Sequence, residues 1–452
     1  MKYPTLPETE KLHEWFFDAR FRLNGWEEAL ARRDGLSTLW QWVVFGLVVI
    51  ALFSRSPSLF THAQFYAEDG AIFFAQAYNL GWLHSLSLPQ AGYFNTMPRL
   101  AAGLALLFPL DWAPLVMAAV GLLIQSLPVT ILLSSRCRAW APLPTRIVLA
   151  AIYVAIPNAR EIHIVVTNSM WHLAVAAVLI AFASSPQTWR GRVFDSVLLL
   201  VASISGPFCI VLAPLILIFW WRRRQSWSLA VLALTSIGAF TQILLVLHDT
   251  HRVQGPLDAR LGTFSRLLGG NVFGCALVGS HSFSATPTVF ITLATLAGLS
   301  ICLYCFRFAN IEWSLFLVYC SGVYLASLHN PLIFRDPSLA AAHPAWDLLL
   351  DDPSCRYWFL PMLMFLWSAL WCALYSRDRL FRLAGTCIFL TMSIGIVHDW
   401  KYGGYPNEHF AESVQRIRDA KKGDHVIVPL VPEGWQMELV KRASSEPAKG
   451  AS

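Results

Sequence analysis

The sequence predicts an all-α polytopic membrane protein with roughly eleven transmembrane helices. Two observations support this class. First, 56% of the 452 residues are hydrophobic and only 14% are charged, whereas a soluble protein usually carries ~25% charged residues. Second, apolar runs alternate with short turns that are mostly rich in arginine, as the positive-inside rule requires for cytoplasmic turns. The net charge of +6 therefore concerns membrane sidedness and gives no reason to expect a nucleic-acid partner.

The N-terminal segment, residues 1–37, interleaves lysine and arginine with Trp15, Phe16, Phe17 and Phe21. This pattern is typical of an amphipathic helix on the cytoplasmic membrane surface, and equally of a solvated tail with scattered aromatic residues. The first apolar run begins near residue 39, too late for a cleavable signal peptide. We therefore expect a retained membrane anchor and a cytoplasmic N-terminus.

Residues 38–397 form the predicted transmembrane domain. The predicted spans are 39–53, 113–133, 146–157, 170–185, 193–205, 207–221, 228–247, 286–306, 313–328, 357–375 and 383–397. Residues 99–110 are apolar but too short to cross, so they predict a segment that dips into the membrane. Residues 248–284 and 329–356 are predicted outer loops. The sequence shows no internal repeat, so the inverted-repeat plan of many transporters finds no support.

The first outer loop, residues 54–98, contains two adjacent carboxylates, Glu68 and Asp69, directly after the first span. Apolar residues recur at helical spacing after them, which predicts a short helix over 68–80. Pro89 and Gly92 interrupt the remainder of the loop.

The C-terminal segment, residues 398–452, is polar and predicts a small α/β cap on the extracytoplasmic side. Phe410, Val414, Ile417 and Ala420 fit one face of a helix. The run 426–428 has the composition of a strand.

The polar residues outside the spans collect on the outer face in this topology, and sugar transfer is a reaction with matching needs. An acceptor hydroxyl is a poor nucleophile and needs a carboxylate as general base. A leaving phosphate needs cations or a metal. Nucleotide sugars are cytoplasmic, so a donor at this face would be a sugar on a polyprenyl phosphate.

The arrangement resembles the GT-C class of integral-membrane glycosyltransferases, in its bacterial members. The resemblance covers about residues 39–435 and rests on four motifs: Glu68-Asp69, Pro157-Asn158 … Glu161 … Thr167-Asn168 … Trp171-His172, Ser205-Gly206-Pro207, and Arg356-Tyr357. In that class an acidic motif in the first outer loop carries the catalytic carboxylate. The Trp-Trp-Asp motif of oligosaccharyltransferases does not occur here, which favours a glycan or lipid-linked glycan acceptor over a protein.

The resemblance implies a GT-C-like fold in a bacterial inner membrane, with Asp69 as general base. Glu68 would be a second carboxylate that orients the acceptor or helps to hold a metal. The structural alternative is that Glu68 and Asp69 cap the helix that follows them, because carboxylates favour helix N-termini.

Arg356 and Tyr357 would bind the donor phosphate, since guanidinium is a natural fork for phosphate oxygens, and Arg99 is a further candidate. The alternative is an interfacial Arg-Tyr pair that anchors a helix end. The predicted substrate-lining residues are Glu161, Asn168, Trp171 and Tyr93, although a turn between helices also needs polar residues. No cluster has the spacing of metal ligands, so no metal ligands are predicted; a divalent cation stays open.

The predicted function is an inverting glycosyltransferase that moves a sugar from a polyprenyl-phosphate donor to a cell-envelope glycan or lipid-linked glycan. The alternative is a transporter or flippase of lipid-linked glycans, which would need ionisable residues at mid-membrane depth; the predicted spans contain few. A non-catalytic membrane scaffold is a third hypothesis. The expected partners are the donor, the acceptor and the lipid bilayer.

Overall fold

The computed structural model describes residues 35–36, 38–249, 255–283, 285–331, 343–352 and 355–442. Over these residues the chain is mostly helical, with a small two-stranded sheet near the C-terminus. The predicted amphipathic segment 1–37 lies almost wholly outside the described residues. The predicted outer loop 329–356 is described only in part.

Seven helices are long and apolar enough to cross a membrane, which agrees with the predicted membrane protein. They are Leu110–Leu133, Ser226–His248, Leu261–Val278, Thr288–Phe308, Ile311–His329, Arg356–Tyr375 and Arg379–Asp399. Three shorter apolar helices are Leu39–Arg55, Leu143–Ala155 and Ser169–Ala181. Helices Trp189–Ser203 and Phe208–Arg223 occupy two further predicted spans. Eleven crossings are not confirmed, because several of these helices are shorter than the ~20 residues that a span needs.

Helix Leu261–Val278 lies where the sequence predicts the outer loop 248–284. Its centre is a π-helical stretch, Leu267–Gly274, which includes three glycines. Glycine lowers helix propensity. The three glycines therefore explain why the sequence did not predict a helix over these apolar residues. Gly269 is packed against Ile291 and Thr295 of the next helix so tightly that a β-carbon would approach the Thr295 hydroxyl at 2.3 Å.

Buried polar contacts join several helix ends at one end of the bundle, here called the Asp399 end. The Asp399 carboxylate accepts the backbone N–H groups of Asn158 and Ser280, each at 2.7 Å. The Arg55 guanidinium, which is wholly buried, donates to the carbonyls of Val154 and Ile156 at 2.6 and 2.9 Å. These carbonyls belong to a helix end, where no intrahelical partner exists. A single arginine therefore satisfies them and fixes two helices together.

Contacts at the two ends of helix Leu261–Val278 join it to different parts of the chain. The Phe264 ring packs 6.2 Å from the ring of Trp346, whose indole N–H bonds the carbonyl of Leu328 at the end of helix Ile311–His329. At the other end, a β-carbon on Gly279 would lie 3.0 Å from the Asp399 carboxylate. The predicted outer loop 248–284 therefore contains a helix that is long and apolar enough to cross a membrane.

The C-terminal unit consists of helix Phe410–Asp419 and the antiparallel strands His425–Leu430 and Trp435–Val440. The predicted helix face is confirmed, because Phe410, Val414 and Ile417 are buried. The predicted strand is also confirmed, and the second strand pairs with it in the register Val428 to Met437.

The C-terminal unit and the first predicted outer loop share one hydrophobic core. That loop contains the short helix Ser58–Thr61, the π-helical turn Asp69–Phe74, and helices Ala75–Leu80, Trp82–Leu86 and Thr96–Ala105. The Phe65 ring contacts the ring of Phe410 edge-on at 5.4 Å, and Val428 and Leu430 belong to the same core. The predicted helix over 68–80 is thus present. Helix Thr96–Ala105, with ten residues, is too short to cross a membrane.

Candidate functional site

The Asp69 carboxylate is bound to a different segment of the chain from its own helix. Asp69 begins the π-helical turn and is 6% exposed. Its Oδ1 atom accepts the backbone N–H of Thr167 at 2.7 Å and the Thr167 hydroxyl, and Oδ2 accepts the N–H of Val166 at 3.2 Å. Glu68 is the N-cap residue and makes no capping bond through its side chain. Asp69 lies in the first turn of the helix, as the helix-capping alternative expects, although the Glu68 side chain makes no capping bond.

Burial controls the protonation of Asp69. Removal from water raises the pKa of its carboxyl from the usual 3.8 to about 7, against the opposing effect of the hydrogen bonds from Thr167 and Val166. The neighbouring Glu68 carboxylate raises the pKa further by charge repulsion. A carboxyl with a pKa near neutrality can exchange a proton at physiological pH, which an ordinary aspartate cannot do efficiently.

The segment that holds Asp69 is itself fixed from two sides. Thr167 and Asn168 come directly before helix Ser169–Ala181. The Asn95 amide donates to the Thr167 carbonyl at 3.4 Å, and the Asn168 amide donates to the Glu161 carbonyl at 2.9 Å. Asp69 is therefore held by a short, hydrogen-bonded connection between two helices.

Glu161 and Arg356, 195 residues apart, form an ion pair close to this connection. The Arg356 guanidinium donates to Oε1 of Glu161, and the backbone N–H of Arg356 donates to Oε2 at 2.5 Å. Each side chain is 20% exposed. The structure thus joins a predicted phosphate-binding residue to a predicted substrate-lining residue, with Asn168 beside them.

Two of the predicted aromatic residues, Tyr357 and Trp171, pack beside this ion pair. The Arg356 guanidinium is 5.2 Å from the Tyr357 ring, and Tyr357 contacts Trp171 edge-on at 6.0 Å. Trp171 and Tyr357 are 2% and 6% exposed, and Tyr93 is also buried. Tyr357 and Trp171 thus form a buried aromatic contact beside the ion pair.

Arg99 is separate from the Glu161–Arg356 pair. It is wholly buried, its Nη1 atom donates to the Gln76 amide oxygen at 2.8 Å, and its guanidinium lies 5.2 Å from the Phe73 ring. Its Nε and Nη2 atoms have no hydrogen-bond partner within the part of the chain that the structure describes. Burial lowers the pKa of Arg99 to about 10. Phe73 lies one helical turn after Asp69. Arg99 is therefore linked to the acidic pair through its contact with the Phe73 ring.

A possible metal-ligand group comprises Glu161, Asp352 and Cys355, whose ligand atoms lie within 4.8 Å of one another. Sequence reasoning missed this group because its members come from two distant segments. Its chemistry is poorly suited to a cation. Arg356 already binds both Glu161 oxygens, and burial raises the pKa of the Cys355 thiol, which disfavours the thiolate that a metal needs.

Nothing among known protein families or curated proteins matches this sequence. The GT-C resemblance therefore rests on the quoted motifs alone. The geometry does not depend on it: one connection between helices contains both Glu161, the partner of Arg356, and the residues Val166 and Thr167 that bind Asp69.

Sequence reasoning missed three residues at this place: Thr167, Tyr66 and Tyr405. Thr167 belongs to a quoted motif but was given no role of its own. Tyr405 comes from the C-terminal segment, and its ring lies 5.3 Å from that of Tyr66. No local pattern links two residues so far apart in sequence. Only the fold brings the C-terminal segment over the acidic loop.

Proposed function

We propose that this protein is a membrane-embedded glycosyltransferase that moves a sugar from a polyprenyl-phosphate donor to a glycan or lipid-linked glycan. The observation that carries the proposal is the buried Asp69 carboxyl, whose pKa is raised to about 7 and whose position is fixed by Val166 and Thr167. Apolar helices supply the environment that the lipid part of a donor needs.

In the proposed reaction the acceptor hydroxyl attacks the anomeric carbon of the donor sugar. A new carbon–oxygen bond forms as the bond to the donor phosphate breaks, with inversion at that carbon. The hydroxyl proton passes to Asp69, and the polyprenyl phosphate leaves with the bonding electrons. Oδ2 of Asp69 accepts one bond among the described residues, from Val166, so it retains a lone pair for this proton.

The remaining residues would bind and orient the substrates. Arg356, with Tyr357 beneath it, and Arg99 would bind the donor phosphate, because guanidinium matches phosphate oxygens. Glu68 would orient the acceptor. Asn168 would hold the Asp69-binding segment in place, and Glu161 would hold Arg356 until a donor phosphate displaces it, with Trp171 and Tyr93 as the apolar support.

The transporter hypothesis gains no specific observation. Two ion pairs involve helical residues, Arg136 with Asp195 and Arg223 with Glu312. Arg136 follows helix Ala113–Leu133, and Arg223 ends helix Phe208–Arg223. Arg136, Arg223 and Glu312 lie at helix ends, and Asp195, inside helix Trp189–Ser203, is paired with Arg136. A transport pathway would place ionisable groups at mid-membrane depth.

A transfer assay tests the proposal. Purified protein in nanodiscs is offered radiolabelled polyprenyl-phosphate sugars together with extracted cell-envelope glycans, and labelled product is counted. We expect transfer by the wild type and by Asp111→Asn, which alters a partly exposed carboxylate paired with Arg418. Asp69→Asn should reduce transfer by a factor of about 10²–10⁴. Full activity of a normally folded Asp69→Asn variant would exclude the proposed mechanism.

A further inference from the structure

Exposed arginine side chains collect at a place where three helices begin or end. Helices Trp189–Ser203 and Ser226–His248 begin there, and helix Phe208–Arg223 ends there. The Ser185 hydroxyl donates to the Gln225 amide oxygen at 3.1 Å, so the turns that precede the two helix starts lie side by side. The exposed arginines of this place, here called the arginine cluster, are Arg190, Arg192 and Arg224.

The arginine cluster lies at the other end of the bundle from Asp69. The residues that bind Asp69, among them Thr167, come directly before helix Ser169–Ala181. Ser185, which binds Gln225, comes shortly after the end of the same helix. A helix of 13 residues is ~20 Å long. This length separates the arginine cluster from the candidate site, so the proposed sugar transfer does not use these arginines.

The positive charge of the arginine cluster is not neutralised within the described part of the chain. The two carboxylates on the neighbouring helices are paired with other arginines. Asp195 is wholly buried and pairs with Arg136, and Glu312 pairs with Arg223. Among the described residues, the three exposed guanidinium groups have no acidic partner. A ligand that binds them must therefore supply negative charge.

Each guanidinium of the arginine cluster lies over an indole ring. The distances to the ring centre are 5.7 Å for Arg190 over Trp189, 5.8 Å for Arg192 over Trp227 and 3.9 Å for Arg224 over Trp221. A guanidinium that stacks on a ring keeps N–H groups at its edge, where they match phosphate oxygens. Trp189 and Trp221 are 70% and 64% exposed. Exposed tryptophan is typical of the boundary between membrane and water.

The Arg224 guanidinium is held in position while its terminal nitrogens stay available. Its Nε atom donates to the Trp221 carbonyl at 3.0 Å. Its backbone N–H donates to the Trp220 carbonyl at 2.6 Å, which closes the end of helix Phe208–Arg223. Within the described residues both Nη atoms of Arg224 remain free to donate to a ligand. The side chain is thus partly ordered before any ligand binds, which lowers the entropic cost of binding.

The surface next to the arginine cluster is apolar along two helices. Helix Trp189–Ser203 continues with Phe194 and Val197, which are 46% and 57% exposed. Helix Ser226–His248 starts two residues after Arg224 and is long and apolar enough to cross a membrane. Cations, indole rings and apolar side chains therefore follow one another from the helix ends towards the membrane interior. A phospholipid presents the matching order of phosphate, glycerol and acyl chains.

We propose that the arginine cluster binds the headgroups of anionic phospholipids. Arg190, Arg192 and Arg224 donate to the phosphate oxygens, and Trp189 and Trp221 lie at the level of the glycerol groups. Basic residues between membrane helices form sites of this kind for anionic headgroups. The inference goes beyond sugar transfer and does not depend on it.

Native mass spectrometry of the full chain in a neutral detergent tests this surface. The probes are phosphatidylglycerol and phosphatidylcholine with the same acyl chains, and the affinity of each is measured by titration. We expect the wild type to prefer phosphatidylglycerol. The triple variant Arg190→Gln/Arg192→Gln/Arg224→Gln should bind phosphatidylglycerol about tenfold or more weakly, with unchanged affinity for phosphatidylcholine.

The matched control is the triple variant Arg260→Gln/Arg416→Gln/Arg418→Gln, which removes three exposed arginines outside the arginine cluster. It lowers the net charge equally and should bind phosphatidylglycerol as the wild type does. Equal weakening in both triple variants, or a wild type without preference for phosphatidylglycerol, would overturn the proposal. Arg190→Gln alone changes one exposed side chain and should weaken binding a few-fold, which keeps the test decisive if the triple variant unfolds.

Glycerol phosphate distinguishes a lipid site from a site for a soluble phosphate. It carries the phosphate of the headgroup without acyl chains, so it should displace phosphatidylglycerol only at far higher concentrations than the lipid itself. Displacement at similar concentrations would assign the arginine cluster to a soluble anion and overturn the proposal. Sugar transfer is measured separately, and its loss in Asp69→Asn should leave the preference for phosphatidylglycerol unchanged.

Discussion

The backbone N–H of Ala67 donates to the carbonyl of Val431 at 2.5 Å, and the Val431 N–H returns a bond to Phe65 at 3.4 Å. Ala67 has a φ of 37°, a left-handed conformation that a residue with a β-carbon rarely adopts. Such a conformation persists only when its surroundings hold it. Glu68 and Asp69 follow directly, so the C-terminal unit sets the chain direction from which both carboxylates extend.

Gly70→Ala tests this dependence. A β-carbon at Gly70 would lie 2.7 Å from the Phe65 β-carbon and 2.9 Å from a Leu430 methyl group, so the loop and the C-terminal hairpin must separate. We expect a loss of about 1–3 kcal/mol in the free energy of unfolding and reduced transfer. The measurement is thermal unfolding in detergent. Gly46→Ala is the matched control, because no atom lies within 4 Å of its β-carbon position; equal stability of the two variants would refute the dependence.

The pH dependence of transfer should report the titration of Asp69. A general base acts when it is deprotonated, and the Asp69 carboxyl has a pKa of about 7. Transfer should therefore rise with pH and level off above about 7, and below it should fall about tenfold per pH unit. The measurement is kcat/KM from pH 5 to 9. A rate that stays constant down to pH 5 would contradict Asp69 as the base.

Stability should change with pH in the opposite direction. Because the folded pKa of Asp69 lies above its usual value of 3.8, folding favours the protonated carboxyl. This contribution is fully present below about pH 4 and is lost as the pH rises through about 7. Asp69→Asn should remove that part of the pH dependence of the unfolding free energy. If the pH dependence of the variant equals that of the wild type, the pKa of Asp69 does not lie in this range.

Thr167→Val separates the position of Asp69 from its chemistry. The Thr167 hydroxyl bonds the Asp69 carboxylate and lowers its pKa. Its removal should raise the pKa and shift the pH–rate profile to the alkaline side by about one unit. Thr167→Ser keeps a hydroxyl and should restore the wild-type profile. A lower rate with an unshifted profile in Thr167→Val would indicate a purely structural role.

Composition and periodicity predicted the helical membrane class because they depend on local sequence alone. The same holds for the C-terminal helix, where Phe410, Val414 and Ile417 are spaced by helical turns and all three are buried. The sequence did not predict the helix at residues 261–278. Its π-helical stretch contains three glycines, which lower helix propensity, and the helix packs against its surroundings at those glycines.

The candidate site was predicted in its residue types but not in its contacts. Asp69, Glu161 and Arg356 were each singled out, yet the Glu161–Arg356 pair spans 195 residues. This ion pair depends on how the helices pack together, and no local sequence pattern predicts that packing. Tyr405 was missed for the same reason. Asp69 lies in the first turn of its helix, and its carboxylate also accepts hydrogen bonds from a distant segment, Val166–Thr167, which no local pattern predicts.

Arg99→Met tests whether the buried guanidinium is kept for ligand binding. Arg99 is wholly buried, and its Nε and Nη2 atoms have no partner in the described residues. A buried charge with two unsatisfied N–H groups is costly, so methionine should raise the unfolding midpoint of the ligand-free protein. A polyprenyl-phosphate donor at about 100 times Kd should stabilise the wild type by ~2.7 kcal/mol and should not stabilise Arg99→Met. Arg418→Met, at a partly exposed arginine, should respond to donor as the wild type does. Equal donor stabilisation of Arg99→Met would exclude a phosphate-binding role.

Glu161→Gln distinguishes a phosphate-binding Arg356 from a purely structural one. Glu161 holds the Arg356 guanidinium in the ligand-free protein, so a donor phosphate must compete with this carboxylate. Removing its charge should tighten donor binding several-fold, whereas Arg356→Gln should weaken it about tenfold or more. Both values come from titrating a fluorescent polyprenyl-phosphate sugar into nanodiscs that contain each variant. If Arg356 only anchors a helix end, both variants should lower the free energy of unfolding while donor affinity stays at the wild-type value. A gain in affinity together with a loss of stability in Glu161→Gln can arise only if the phosphate and Glu161 compete for the same guanidinium.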